Sequence, residues 1–390
     1  MGPGYCWPRM GGKDATSADD WVQWLIEAVD ADNAARLDPI KQSATLAVLR
    51  AAPEWAAEHA RLALQDFDAA PAERLDALRS DTVARRFAAR PVGGGLNVFV
   101  ARMLVPGGPW PGHFGLEAVV FEAREAVVPG WYPRADGEAE EHPLTFASAI
   151  AASAAFRDGH GSVIFPELLA TSGRLEAQGF GIVLVDRLER LYNEHVIPAA
   201  ARLGWAPAEN IGDHVREAAF HAHEWGHRAI DAKYSESVTG HRRKLRAVMS
   251  EIIADMAALD MLLVRGGGEG GAIAQTLICD RVLREAWLPR RESQVASIVA
   301  RHLVLLLADA GAIVFGNDPP SFDIDLVAGI AARELASLHD VYKAANAGDD
   351  DSTMRYLAGY GWQVEGRQMR QTRDHAVFDR LERYIHVPGA

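Results

Sequence analysis

The stretch His223-Glu224-Trp225-Gly226-His227 decides how the rest of this chain is interpreted. Residues four apart in an α-helix lie on one face, so the imidazoles of His223 and His227 can reach a single metal ion. Glu224 projects beside that ion, where its carboxylate can take a proton from a metal-activated water. Residues 214–233 contain no proline and are amphipathic, so we predict that the motif lies within a helix.

This motif resembles the H-E-x-x-H signature of the zincin metallopeptidases. The metzincin branch would require Gly and His where this chain has Ile230 and Lys233, so that branch is excluded. The gluzincin branch continues with E-x-x-x-D on a following helix, and Glu251 to Asp255 fits that pattern, 24 residues after His227. The resemblance implies that Glu251 is the third zinc ligand and that Asp255 is an outer carboxylate that orients a ligand histidine.

The residues around Glu251 support a buried position independently of the resemblance. Apolar side chains are spread around nearly the whole helix, so we expect it to be buried on most sides: Ile252, Ile253, Met256, Leu259, Met261, Leu262 and Leu263. A buried carboxylate must be paired or bind a metal. The alternatives are that Glu251 and Asp255 form an exposed polar stripe, or that Asp231 or Glu236 is the third ligand.

Two histidines and a glutamate with an open fourth position are typical of a catalytic zinc site. We therefore expect one Zn²⁺ per chain and a hydrolase of the gluzincin type that acts on a peptide or amide carbonyl, with Glu224 as general base. A zinc enzyme acting on a non-peptidic small molecule in bacterial specialised metabolism is the alternative hypothesis. An inactive zincin-like binding module is the third, although such a module has no need of Glu224.

Zincins usually carry a further side chain that stabilises the developing oxyanion. The sequence favours Tyr356 and Tyr360, which lie in a polar stretch near glycines, over the other downstream candidates: His302, Tyr342 and His375. We expect His221 at the rim of the site and His160 in a loop near it. The strand predicted around residues 163–165 is a candidate edge for binding an extended substrate.

Composition excludes several other functions. The formal charge of −13 argues against nucleic acid or an anionic membrane as the main partner and favours a neutral or basic substrate. The only cysteines, Cys6 and Cys279, are too few for a disulfide framework. Neither a secretory signal nor a membrane span is indicated, so we expect a cytoplasmic protein whose oligomeric state is open. The excess of Arg over Lys and the abundance of Ala and Gly are typical of a bacterial, GC-rich source.

The distribution of residues predicts an α+β, predominantly α-helical protein: a zincin-like catalytic domain with a small sheet and extra N-terminal helices. We predict four segments, namely N-terminal helices at 1–90, strands at 91–175, a helical zinc-binding region at 176–345 and a polar C-terminal segment at 346–390. Strands are expected at 96–100, 117–121 and 161–166, and helix from residue 184 to 264 with a break at 207–212. The glycine run at 266–271 is interpreted as a flexible connector.

Overall fold

The computed structural model describes residues 18–34, 44–68, 96–104, 114–124, 129–132, 144–153, 162–165, 180–205, 213–226, 241–287, 295–316, 318–347, 349–365, 368–372 and 376–385. Within them, helices outnumber strands, and the predicted α+β, predominantly helical class is confirmed. Contacts divide the chain into one unit of Met1–Arg124 with Ala147–Val163, and a second of Glu125–Phe146 with Ile164–Ala390. The four predicted segments stay a prediction.

The first unit packs three helices on a strand pair. Its helices are α1 (Ala18–Ala34), α2 (Ala44–Arg50) and α3 (Ala57–Asp68), with a 3₁₀ turn at Glu54–Ala56. The apolar face of α1 forms the core of this unit, where Trp21 and Leu25 are fully buried. The Trp21 indole donates to the carbonyl of Val48 at 3.1 Å, which joins α1 to α2.

The strands form a small sheet in which β1 (Leu96–Leu104) pairs antiparallel with β2 (Phe114–Arg124). The strand order is β1-β2-β3-β5-β4, with β3 at Leu144–Ala152, β4 at Ser162–Phe165 and β5 at Phe180–Leu184. The predicted strands at 96–100, 117–121 and 161–166 coincide with β1, β2 and β4. β3 and β5 escaped the sequence analysis because β3 is rich in Ala, a helix former, and β5 runs directly into a helix.

The second unit is a helical assembly. Its N-terminal part contains α4 (Val185–Leu191), a π-helical turn (Tyr192–Val196) and α5 (Ile197–Leu203), followed by α6 (Asp213–Gly226) and α7 (His241–Arg265). After these come α8 (Gly267–Leu283), a 3₁₀ turn (Glu285–Trp287), α9 (Val295–Asp309), β6 (Ile313–Val314), β7 (Ser321–Phe322), α10 (Asp325–Asn346), α11 (Asp350–Gly359), β8 (Trp362–Glu365), β9 (Gln368–Gln371) and α12 (Ala376–Ile385). None of the helices described combines the length and apolarity needed to cross a bilayer.

Helix α7 is the centre of the second unit. It contacts α6, α8, α9, α10 and α11, so the prediction that it is buried on most sides is confirmed. Nearly every residue between Val248 and Leu262 is buried. The apolar side chains all around this helix exist because it has neighbours on every side.

The glycine run at 266–271 does not form the predicted connector. Helix α8 begins inside it, at Gly267. A Cβ at Gly270 would lie 2.1 Å from the carbonyl oxygen of Leu262 in α7. The run therefore serves helix packing, because the absence of a side chain at Gly270 lets the start of α8 approach the backbone of α7.

This close approach predicts opposite effects for two adjacent glycines. Gly270→Ala should destabilise the protein by about 1–3 kcal/mol, because the new methyl group must displace the Leu262 carbonyl. Gly271→Ala should stabilise it by about 0.5–1 kcal/mol, because alanine favours helix and a Cβ at Gly271 would meet no atom of the described residues within 4 Å. Urea denaturation measures both values, and equal effects of the two substitutions would contradict the packing role.

Candidate metal site

The motif helix α6 packs directly on α7. A Cβ at Gly226 would lie only 2.1 Å from the carbonyl oxygen of Ala254, so glycine permits the two helix backbones to approach each other. Ala254 lies between Glu251 and Asp255, one residue before the aspartate. The fourth residue of the motif therefore brings His223 and Glu224 next to the two acidic residues of α7.

The His223 ring lies close to three acidic side chains. Its Nε2 lies 3.0 Å from Oε2 of Glu251 and 3.9 Å from Oε1 of Glu224. Its Nδ1 lies 2.7 Å from Oδ1 of Asp255. The aspartate therefore accepts a hydrogen bond from Nδ1–H, so Nε2 is the ring nitrogen directed toward the glutamates.

Asp255 is also held by Arg281, which the sequence analysis did not single out. Nη2 of Arg281 donates to Oδ1 of Asp255 at 3.0 Å, and Nη1 of the same guanidinium donates to Glu285. Both Asp255 and Arg281 are buried. A buried carboxylate on α7 requires a counter-charge, but the sequence does not reveal which arginine comes from the neighbouring helix.

The charges around His223 shift two pKa values in opposite directions. Burial alone would raise the pKa of Asp255, but the Arg281 guanidinium and the His223 ring outweigh it and hold that pKa below its usual value. Burial and Arg281 lower the pKa of His223, whereas Asp255 and the hydrogen bond to Glu251 outweigh them and raise it to about 10. In the absence of a metal, the His223 ring thus behaves as the cation that the surrounding carboxylates require.

The separation of His223 Nε2 and Glu251 Oε2 fits a shared zinc ion. Two ligand atoms about 2.0–2.1 Å from a tetrahedral zinc lie about 3.3 Å apart, close to the 3.0 Å observed. The Glu251 side chain is 30% exposed, so this side of the site is open to solvent. Zn²⁺ would replace the proton that now lies between the two groups.

The second motif histidine, His227, lies outside the described residues, as do the alternative ligands Asp231 and Glu236. Within the described residues, no group of three histidine, cysteine or acidic side chains is close enough to hold a metal. The contribution of His227 to the ligand set therefore stays a prediction.

Tyr356 and Tyr360 belong to a second polar cluster, which we call the tyrosine cluster and which also contains His302 and Glu334. The Tyr356 hydroxyl donates to Oε1 of Glu334 and lies 2.9 Å from Nε2 of His302. The Tyr360 hydroxyl donates to the same Glu334 oxygen at 3.1 Å, and its ring packs edge-on against the His302 ring. Three of these four residues are candidates in the sequence, whereas Glu334 is not, because its partners are remote in sequence.

The other site candidates from the sequence lie outside the two polar clusters or outside the described residues. The buried His221 ring packs against Tyr132 with ring centroids 5.4 Å apart, and Tyr342 belongs to the apolar core of the second unit. The proposed edge strand at 163–165 lies in β4. His160 and His375 lie outside the described residues.

Comparison of the whole chain with solved structures finds dipeptidyl peptidase III. The enzyme from Caldithrix abyssi matches with a TM-score of 0.59 and 12% identity over 94% of this chain and 77% of that one. The enzyme from Corallococcus sp. strain EGB matches with a TM-score of 0.56 and 13% identity over 88% of this chain and 66% of that one. No protein-family model matches, and no curated protein sequence matches either. The chain thus shares the fold of dipeptidyl peptidase III at low sequence identity.

Removal of Arg281 should destabilise the protein more than removal of its neighbour Arg284. Arg281→Met leaves the buried Asp255 without its guanidinium, at a cost of about 3–5 kcal/mol. Arg284→Met should cost less, because its partner Asp280 is partly exposed and can be solvated. Urea denaturation of wild type and both variants measures the two losses in the free energy of unfolding.

The Arg281 effect should also depend on pH. Because the pKa of Asp255 is lowered in the folded protein, its ionised form contributes stability at neutral pH, and that contribution disappears as the pH falls through the folded-state pKa. The difference between wild type and Arg281→Met should therefore narrow in acid. A difference that does not change with pH would contradict the pairing.

Proposed function

We propose that this protein is a zinc-dependent peptidase in which His223, His227 and Glu251 hold the metal and Glu224 is the general base. The observation that carries the proposal is the pair of contacts made by His223. Asp255 accepts a hydrogen bond from Nδ1 of His223. Nε2 of the same ring lies 3.0 Å from the Glu251 carboxylate, a distance close to that between two ligand atoms of one zinc ion. The shared fold adds to this, because dipeptidyl peptidase III is a zinc metallopeptidase of the HExxH type.

The chain's own residues divide the work of hydrolysis. A zinc ion at this site would lower the pKa of a water molecule and polarise the substrate carbonyl. Glu224 follows the first ligand directly, and its carboxylate lies 3.9 Å from Nε2 of His223. From there Glu224 would accept the proton of the attacking water and deliver it to the leaving amine. Asp255 would keep the His223 ring in the tautomer that binds the metal.

We retain Tyr356 and Tyr360 as the proposed oxyanion-stabilising residues. In the structure both hydroxyl protons are directed to Glu334. Either hydroxyl would therefore have to exchange this bond for one to the substrate when it acts as an oxyanion donor. A Tyr→Phe substitution at such a position lowers kcat and leaves metal binding intact, which distinguishes this role from a structural one.

We propose short peptides as the substrate class. The structural neighbours are named as dipeptidyl peptidases, so the first assay uses a panel of peptides with free N-termini, scored for release of dipeptides. The net charge of −13 favours neutral or basic peptides in this panel. The proposed setting is the cytoplasm of a bacterium. Hydrolysis of non-peptidic amides or esters instead of peptides would favour the small-molecule alternative.

Glu224→Gln tests the general base. The substitution keeps the shape of the side chain but cannot accept a proton, so turnover should fall by about 10²–10⁴-fold while zinc stays bound. Metal analysis and peptide cleavage are measured on the same preparation. Glu217→Gln serves as control, because Glu217 is also buried on α6 and lies two turns earlier. Full activity of Glu224→Gln would contradict the assignment.

Glu251→Ala tests the third ligand. Wild type should carry about one zinc per chain, and the variant should lose it on dialysis, because two histidines alone leave the site short of a ligand. Asp260→Ala, on the same helix, should keep its zinc. Retention of zinc by Glu251→Ala would transfer the ligand role to Asp231 or Glu236.

A further inference from the structure

The tyrosine cluster has a defined direction of hydrogen bonding. The Tyr356 hydroxyl has one proton, which it donates to Glu334. Its oxygen must therefore accept from Nε2–H of His302, 2.9 Å away. This bond selects the Nε2–H tautomer of His302 and leaves Nδ1 with a lone pair.

The Nδ1 atom of His302 is consequently a buried acceptor. The side chain is 1% exposed, and no group in the described part of the chain donates a hydrogen bond to Nδ1. Burial lowers the pKa of His302 to about 3, so the ring is neutral and Nδ1 stays unprotonated. An unsatisfied buried acceptor costs about 1–3 kcal/mol, and such groups are usually satisfied by an ordered water.

Asp255 presents a second buried acceptor of this kind. Its Oδ1 takes the bonds from His223 and Arg281, whereas its Oδ2 is buried and has no partner among the described residues. His302 lies on α9 and Asp255 on α7, and these two helices pack against each other. Both residues are 1% exposed, so both side chains are buried in the unit in which these two helices pack.

Two acceptors cannot bond directly to each other, but one water has two protons to donate. We propose that His302 is a positioning residue that holds Asp255 through a single buried water donating to Nδ1 of His302 and to Oδ2 of Asp255. The tyrosine cluster then holds the His302 ring in place, and the water holds Oδ2 of Asp255. Oδ1 of Asp255 in turn orients the His223 ring. The consequence for zinc binding rests on the proposed function, whereas the water itself does not.

A crystal structure of the full chain at about 1.5 Å resolution tests the link directly. The expected result is one ordered water within about 2.7–3.2 Å of both Nδ1 of His302 and Oδ2 of Asp255. A dry contact, or a water that reaches only one of the two atoms, overturns the proposal. This test needs no bound metal and no activity.

A double-mutant cycle tests the consequence in solution. His302→Leu and Asp255→Asn are made singly and together, and zinc affinity is measured by competition with a chelator. Asp255→Asn should weaken zinc binding by about 10–100-fold, as loss of an outer carboxylate does, and His302→Leu by a smaller factor. In the double variant, His302→Leu should add nothing to the loss caused by Asp255→Asn.

The control is Ser297→Ala, which removes a different buried polar group from α9, a hydroxyl that has no partner within the described ranges. It should leave zinc affinity unchanged. Multiplying factors in the double variant would show that His302 acts only through general stability and would overturn the proposal. Absence of zinc binding in wild type would instead refute the proposed function, and the crystallographic test would still decide the inference.

Discussion

The close approach of α6 and α7 at Gly226 is the constraint on which the site depends. With no side chain at Gly226, the motif helix can lie against the backbone of Ala254. Any larger residue would separate the helices and move His223 away from Glu251 and Asp255. The geometry of the site therefore depends on a residue that has no functional group, because side chains on two helices can share an ion only if the backbones approach closely.

Asp255 is the residue of α7 that orients His223 once the two helices are packed. It is a fully buried carboxylate, so it persists only because Arg281 and His223 compensate its charge. The same compensation orients the imidazole and leaves Nε2 directed to Glu251. Stability and the proposed function would thus be coupled at one side chain, which Arg281 on α8 supports.

The elements that depend on a local pattern could be predicted from the sequence. The α6 helix, the buried α7 helix and three strands were recovered from periodicity, since hydrophobic spacing reports directly which faces are buried. The interpretation of the glycine run failed because a flexible connector and a close helix contact use the same residue. Strand β3 was missed because its alanine-rich composition favours helix, and β5 was missed because it runs directly into a helix.

What the sequence by itself determined is the set of candidate reactive groups: the two histidines four residues apart, the glutamate between them and the E-x-x-x-D pattern 24 residues later. Their spacing is local, and the geometry of a helix is the same in every protein. Only the tertiary structure decided that Arg281 compensates Asp255, and that Glu334 receives the protons of Tyr356 and Tyr360. Those partners lie 22 to 26 residues apart in the chain. Helix packing brings them together, so the local sequence pattern does not reveal the pairing.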